Sequence, residues 1–285
     1  MEFNLDLLPE GDSGNAFHLL NEGDERFRQT LAQTLPGRSP LTVKVTLVEL
    51  HHGRVMYERR RDYATLLVFQ IRFQSQLQRQ RYKSASVTLE FFDSDSGSPS
   101  SNSKRDPHVI SIAPDRVHWL HKTSRERTTT HGASLGIRAG PEIAGAEGTV
   151  HWEAEETKPV NFKATVTGIS SHSKRRYGKE NAVTWTMEES SDGADGIPSF
   201  LQAAVLLRRN HDGEFLAKLR VRSKVDPRTA MKRLLPFSTG DEDKVIDPII
   251  ITPGQTQLQS NAVTGIGETD LDSMEKLPLS SYFRV

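Results

Sequence analysis

Four cations occupy every second position near the end of one apolar segment: Lys218, Arg220, Arg222 and Lys224. Alternate residues of a strand lie roughly 6.6 Å apart on one face, close to the spacing of phosphates along a nucleic acid or of neighbouring lipid headgroups. The pattern points to an anion-binding strand. Cross-strand pairing is the competing use of the same cations. Glu188, Glu153 and Glu155 have the matching outward parity in their own alternating segments, and each opposed pair contributes roughly 0.2–1 kcal/mol. The triplets Arg59–Arg61 and Lys174–Arg176 would widen a basic patch. No aromatic residues interleave with these cations for base stacking, which argues against a sequence-specific nucleic-acid reader.

The carboxylates form a second constellation. Asp93 and Asp95 follow one strand and Asp192 and Asp195 follow another, so two loops would present acids at strand ends. Calcium takes six to eight oxygens, of which four carboxylates supply only part. Ser/Gly/Asp loops also serve plainly as turns. Catalytic signatures are missing: there is no G-x-S-x-G, H-E-x-x-H, phosphate-binding loop or dinucleotide fingerprint. His51 with His52, and His118 with His121, have odd separations and would not share a strand face. The chain has no cysteine, which excludes disulfides, thiolate nucleophiles and cysteine zinc sites and fits a reducing, cytoplasmic setting. No cofactor is expected. The ending Phe283-Arg284-Val285 has the apolar-x-apolar form that a PDZ-type domain accepts by strand addition.

The elements that would position these groups are strands. Val183, Trp185 and Met187 alternate with Thr184, Thr186 and Glu188; the apolar run Phe200–Leu207 follows; and Phe215, Ala217, Leu219 and Val221 alternate with the four cations. The turn residues Asn210-His211-Asp212-Gly213 predict that the second and third of these pair as a hairpin. Earlier, Leu41–Leu47 reads as a strand ended by a His51-His52-Gly53 turn, while Leu67–Phe73 and Ala85–Phe91 are expected to pair as a long hairpin. Trp119 is expected in the core. Residues 121–145 give little beyond Leu135 and Ile137, whereas Val150–Ala154 and Phe162–Val166 alternate cleanly. Helices are expected at Glu22–Leu35, where Phe27, Leu31 and Leu35 are spaced by four, and at Arg228–Leu235 behind Asp226-Pro227. Val245–Thr252 would add an edge strand despite Pro248.

Trp185-Thr186-Met187-Glu188, the Gly196-Ile197-Pro198 turn, the run Gln202–Arg209 and the basic strand ending at Val225 resemble uncharacterised β-sandwich proteins of filamentous fungi. The likeness spans roughly residues 145–240 and implies the fold, with no catalytic residues. Size and acidic loops are also loosely similar to C2 domains, the sandwiches that bind calcium or anionic lipid.

Composition completes the reading. The sequence has 285 residues, 35% of them hydrophobic, with a mean hydropathy of −0.54, so part of the chain is expected outside the core. Neither a signal peptide nor a membrane-length apolar run is expected. Residues 1–40 carry seven acids against three bases and residues 241–285 carry eight against three; because the whole chain balances 37 against 37, residues 41–240 are net +9. A basic centre between acidic ends suits an anionic partner, though charged exteriors also serve solubility. The expected architecture is all-β: a single antiparallel β-sandwich, C2-like or immunoglobulin-like, over residues 41–240. A 1–40 extension would hold one helix, and 241–285 would form an acidic, largely disordered tail. The expected function is a non-catalytic intracellular interaction module that binds a protein partner or itself. The alternatives are C2-like attachment to anionic membrane, with or without calcium, and an enzyme of unrecognised class.

Overall fold

Alternation of apolar and polar residues sets which parts of the chain become strands, and the absence of uninterrupted helical periodicity leaves little else. The computed structural model describes residues 4–5, 27–33, 41–75, 81–94, 105–121, 125–136, 149–160, 163–173, 178–190, 196–225, 247–254 and 271–285. Its strands are β1 (Asn4–Leu5), β2 (Thr30–Gln33), β3 (Leu41–Tyr57), β4 (Arg60–Ser75), β5 (Tyr82–Asp93), β6 (His108–Ala113), β7 (Arg116–His121), β8 (Arg125–Gly136), β9 (Thr149–Val160), β10 (Lys163–Ser171), β11 (Ala182–Glu188), β12 (Phe200–Arg209), β13 (Phe215–Val225) and β14 (Ile249–Ile251). The fold is all-β with antiparallel pairing. A seven-stranded sheet runs β1-β13-β5-β11-β10-β7, with β14 also on β13, and a five-stranded sheet runs β2-β3-β4-β12-β6. Among the described residues the strands β8 and β9 pair only with each other.

One core joins the two sheets. Val43, Phe69, Ile71 and Val205 from the five-stranded sheet meet Val87, Phe91, Trp185 and Val221 from the seven-stranded one. Trp185 is fully buried, 6.3 Å from the Phe69 ring across the interface, and its Nε1–H donates to the Pro114 carbonyl at 3.3 Å. The segment bearing Pro114 reaches that position by lying over Gly168 of β10, where any Cβ would stand 1.9 Å from the Pro114 carbonyl oxygen.

The outer face of the five-stranded sheet is also covered. Met274, Leu279 and Tyr282, on two 3-10 turns at Met274–Lys276 and Leu279–Tyr282, pack against Val55, Leu66, Val68 and Leu206. That second burial explains the unbroken apolar runs in β4 and β12, since a strand covered on both faces has no reason to alternate. Gln202 and Arg284 exchange backbone hydrogen bonds at 2.8 and 3.3 Å, so the last residues occupy the β12 edge just beyond the end of β6.

Several expectations are corrected. Thr30–Gln33 is a strand paired with β3, not part of a helix, because four residues with only Leu31 and Ala32 to bury gain more from pairing with β3 than from an isolated helical turn. Residues 271–285 are ordered against the sheet rather than a loose tail. The His51-His52-Gly53 turn is absent: β3 runs on to Tyr57 and turns at Glu58 and Arg59, both with positive φ. Neither predicted hairpin forms. β4 and β5 belong to different sheets, as do β12 and β13, so neither pair lies side by side. Trp119 is 62% exposed and not a core residue. The Arg228–Leu235 helix lies outside the described residues, and β14 realises the edge strand after Pro248.

Candidate functional site

The seven-stranded sheet buries one face; the other is partly open, with Val117, Trp119, Ile169, Glu188 and Arg222 exposed and Glu90, Phe92 and Leu216 buried at one end. Register defines the rows on the open face. Trp119, Thr165, Glu188, Ser84 and Lys224 stand side by side across β7, β10, β11, β5 and β13, and Val117, Thr167, Thr186, Ser86 and Arg222 form the next row. Ile169, Thr184, Thr88 and Arg220 make a third. Four strand spacings separate β7 from β13, or about 19 Å. The face is therefore graded: apolar side chains on β7 and β10, a middle of Thr and Ser with Glu188, and a basic strand β13.

All four predicted cations lie on this face. Arg222 is exposed, and Lys218, Arg220 and Lys224 are half-buried. The predicted partners are not beside them. Glu188 is on β11, with β5 between it and β13, and Glu153 and Glu155 are on β9 outside the sheet. Glu90 of β5 takes that role, its Oε1 lying 3.6 Å from Arg220 Nη2. Arg59–Arg61 sit at the β3–β4 turn of the other sheet and do not extend the patch; Arg61 instead meets Asp272 at 2.6 Å. Lys174–Arg176 lie outside the described residues.

The apolar edge was not foreseen. Val117, Trp119 and Ile169 are 50%, 62% and 58% exposed. An isolated exposed apolar residue is ordinary, but three on adjacent strands with a free tryptophan ring form a patch of the kind that meets a partner or a lipid interface. The signal was present in β10, where Ile169 continues the outward parity of Thr165 and Thr167. Trp119 looked like core because aromatic strand residues usually are.

Of the four candidate metal ligands, Asp95, Asp192 and Asp195 lie outside the described residues. Asp93 is buried, with its carboxylate 3.8 Å from both Arg105 Nη1 and His211 Nε2, and its amide N–H donates to Asp106 Oδ1 at 2.8 Å. That carboxylate faces Arg105 and His211 and is buried away from the loops. Among the described residues no three His, Asp or Glu side chains converge on a metal-sized point.

A second concavity, about 280 Å³, is lined by Tyr57, His108, His172, Lys179, Glu180 and Arg208 among others. Its cations are already occupied: Arg208 Nε donates to Asp62 Oδ2 at 2.6 Å, and Lys179 Nζ donates to the Tyr57 hydroxyl at 3.2 Å and to Glu58 Oε1 at 3.3 Å. Those two hydrogen bonds push the Lys179 pKa up. Burial pushes His108 down, and the charges of Arg208 and Lys179 push it further. These hydrogen bonds hold the cleft wall in place, and beside it the Ser170 hydroxyl donates to Glu180 Oε2.

Comparison with known proteins adds no family. No protein-family model and no curated protein matches the chain. Among solved structures it is similar to the NetB toxin of Clostridium perfringens in its membrane-inserted form, at 8% identity over 68% of this chain and 81% of that one. The TM-score is 0.26, and a likeness that loose carries no argument about fold or function. No helix among the described residues is long and apolar enough to cross a membrane, which says nothing of strands.

Proposed function

We propose that this chain is a non-catalytic binding module, built as a single β-sandwich, that attaches to anionic membrane through the open face of its seven-stranded sheet. The observation that carries this reading is the shared face: exposed Val117, Trp119 and Ile169 at one edge and the Lys218–Lys224 cations at the other. The two halves suit the two layers of a membrane surface. Aromatic and apolar side chains partition into the interfacial region, and lysine and arginine gain about 1 kcal/mol each near anionic headgroups. Anionic lipid is concentrated on the cytoplasmic leaflet, which agrees with a cysteine-free chain working in the cytoplasm. Calcium is a second element of the reading only through the Asp93–Asp95 and Asp192–Asp195 loops.

Co-sedimentation with phosphatidylcholine vesicles, with and without phosphatidylserine, tests the proposal at low and high salt and with calcium or chelator. Expected are binding that requires phosphatidylserine and weakens with salt, and a loss of roughly 10²- to 10³-fold in affinity when Lys218, Arg220, Arg222 and Lys224 are all changed to Ser, from three to four contributions of about 1 kcal/mol. Trp119→Ala should weaken the binding that survives high salt. Equal sedimentation with both vesicle types, or none with either, rejects the reading in favour of a protein partner.

A further inference from the structure

The cleft beside β6 is built by both sheets. Its floor is the outer face of the five-stranded sheet, where Arg208 and Tyr57 follow Leu206 and Val55 at the same parity. Directly opposed residues share a face, so His108 joins Arg208 and Arg60 joins Tyr57. The wall is the connection from β10 to β11. There the Val109 amide donates to the Glu180 carbonyl at 2.9 Å, which holds Lys179 and Glu180 beside β6. The space between floor and wall is about 280 Å³.

The hydrogen bonds that hold the two cations use only part of each. Arg208 spends Nε on Asp62, which leaves Nη1 and Nη2 with no acceptor among the described residues although the side chain is only 14% exposed. Lys179 has three protons and donates two, to the Tyr57 hydroxyl and to Glu58. The Tyr57 ring braces both groups, 4.6 Å from the Arg208 guanidinium and 5.5 Å from Lys179 Nζ. Among the described residues neither ring nitrogen of His108 is hydrogen-bonded, exposed Arg60 makes no ion pair, and Glu180 Oε1 accepts from no donor. Donors left over in a partly desolvated cleft are costly until a ligand brings acceptors. The positive charges of Arg60, Lys179 and Arg208 match the negative ones of Glu58, Asp62 and Glu180 in number but not in place. The charges that act on His108 are those of Arg208 and Lys179, so the field at the floor is positive.

We infer that this cleft binds the phosphate monoester of a small hydroxylated molecule, such as a sugar phosphate or an inositol phosphate. The planar end of Arg208 presents two parallel donors to two phosphate oxygens, a fit that a point charge cannot give. The third Lys179 proton and the His108 ring serve the remaining oxygens, and Arg60 stands on the same face to add charge. A phosphate monoester carries nearly two negative charges near neutral pH, which suits this set of donors. At the other end of the cleft, Glu180 Oε1 accepts a hydrogen bond from a ligand hydroxyl. The volume lies just under the roughly 300–1,000 Å³ of sites for drug-sized molecules, so the ligand is a small one. None of these residues takes part in the membrane reading, whose cations are on β13 of the other sheet, and the two proposals stand or fall separately.

Titration calorimetry of the full-length protein with glucose 6-phosphate, inorganic phosphate and glucose tests the site. Expected are saturable binding of glucose 6-phosphate, weaker binding of phosphate and none of glucose. Lys179→Gln and His108→Gln should each weaken binding about tenfold, the loss of one charge-assisted hydrogen bond. Arg208→Lys keeps a cation beside Asp62 but removes the fork, and should weaken it further. Lys179 is exposed, so its substitution reports on the site even if Arg208→Lys loosens the fold. The protein with Lys218, Arg220, Arg222 and Lys224 changed to Ser should bind glucose 6-phosphate as well as the unaltered chain; loss there would move the site to β13 and overturn the inference. Sedimentation with phosphatidylcholine vesicles, with and without phosphatidylinositol 4-phosphate, separates the two sources. Capture that glucose 6-phosphate competes away and Lys179→Gln abolishes assigns a lipid headgroup, and solution binding without capture assigns a free phosphate ester. No saturable binding of either phosphate in the millimolar range, or binding that all three cleft substitutions leave unchanged, overturns the inference.

Discussion

The β13 cations could be read from the sequence because strand parity alone decides which way Lys218, Arg220, Arg222 and Lys224 face. Their neighbours could not, because parity says nothing about which strand lies alongside. Glu90, the acid that meets Arg220, belongs to a strand read correctly but assigned to the wrong sheet. Trp119 failed for a related reason: its alternation fits either face of β7, and only the fold decides which is open. His108 offers a test at this scale. Burial and the nearby Arg208 and Lys179 charges hold its pKa below 6.5 in the folded chain. Between that lowered value and 6.5 the unfolded chain binds more protons, so stability is full above about 6.5 and falls as pH drops through the window. Thermal melts from about pH 7.5 to about pH 5 should show this fall, and His108→Gln should flatten it. Identical profiles for the two proteins would remove His108 as the cause.

Strand positions were legible wherever one face is solvated. β5, β11 and β13 alternate over Ser84–Leu89, Val183–Glu188 and Ala217–Arg222, where the outer face is partly solvated, whereas the unbroken Leu66-Leu67-Val68-Phe69 run of β4 needed a second apolar cover that pattern alone does not supply. That cover is the Leu271–Val285 segment, which holds three well-buried side chains, Met274, Leu279 and Tyr282. Gly53 shows how closely it lies: a Cβ there would stand 2.2 Å from the Leu271 carbonyl oxygen, to which the Arg54 amide donates at 2.6 Å. Tyr282→Ala should destabilise the protein by about 3 kcal/mol, the cost of emptying a large buried aromatic site. At this chain length that lowers Tm by about 6–12 °C. A shift under about 2 °C would mean that the segment is not energetically coupled to the sheet.

Across the whole molecule, the two sheets share one core, and among the described residues neither β8 nor β9 pairs with a strand of either sheet. Replacing residues 122–162 by an Asn-Gly turn between His121 and Lys163 should therefore leave Tm within about 3 °C, since a two-residue turn of this type closes an antiparallel pair. Binding to phosphatidylserine vesicles should persist. A collapse in Tm would show the hairpin to be structural instead.

The order of strands has one more consequence, for the time course of synthesis. β5 lies between β11 and β13, and β4 between β3 and β12, so the chain interleaves its early and late strands. When β5 leaves the ribosome it has no neighbour, and the apolar residues Val87, Leu89 and Phe91 wait until Ala182–Val225 has been made. Pairings so distant in sequence put folding on the millisecond-to-second scale or slower. In that interval an unpaired apolar strand is an aggregation hazard. A nascent chain stalled before Ala182 is the species a chaperone would hold.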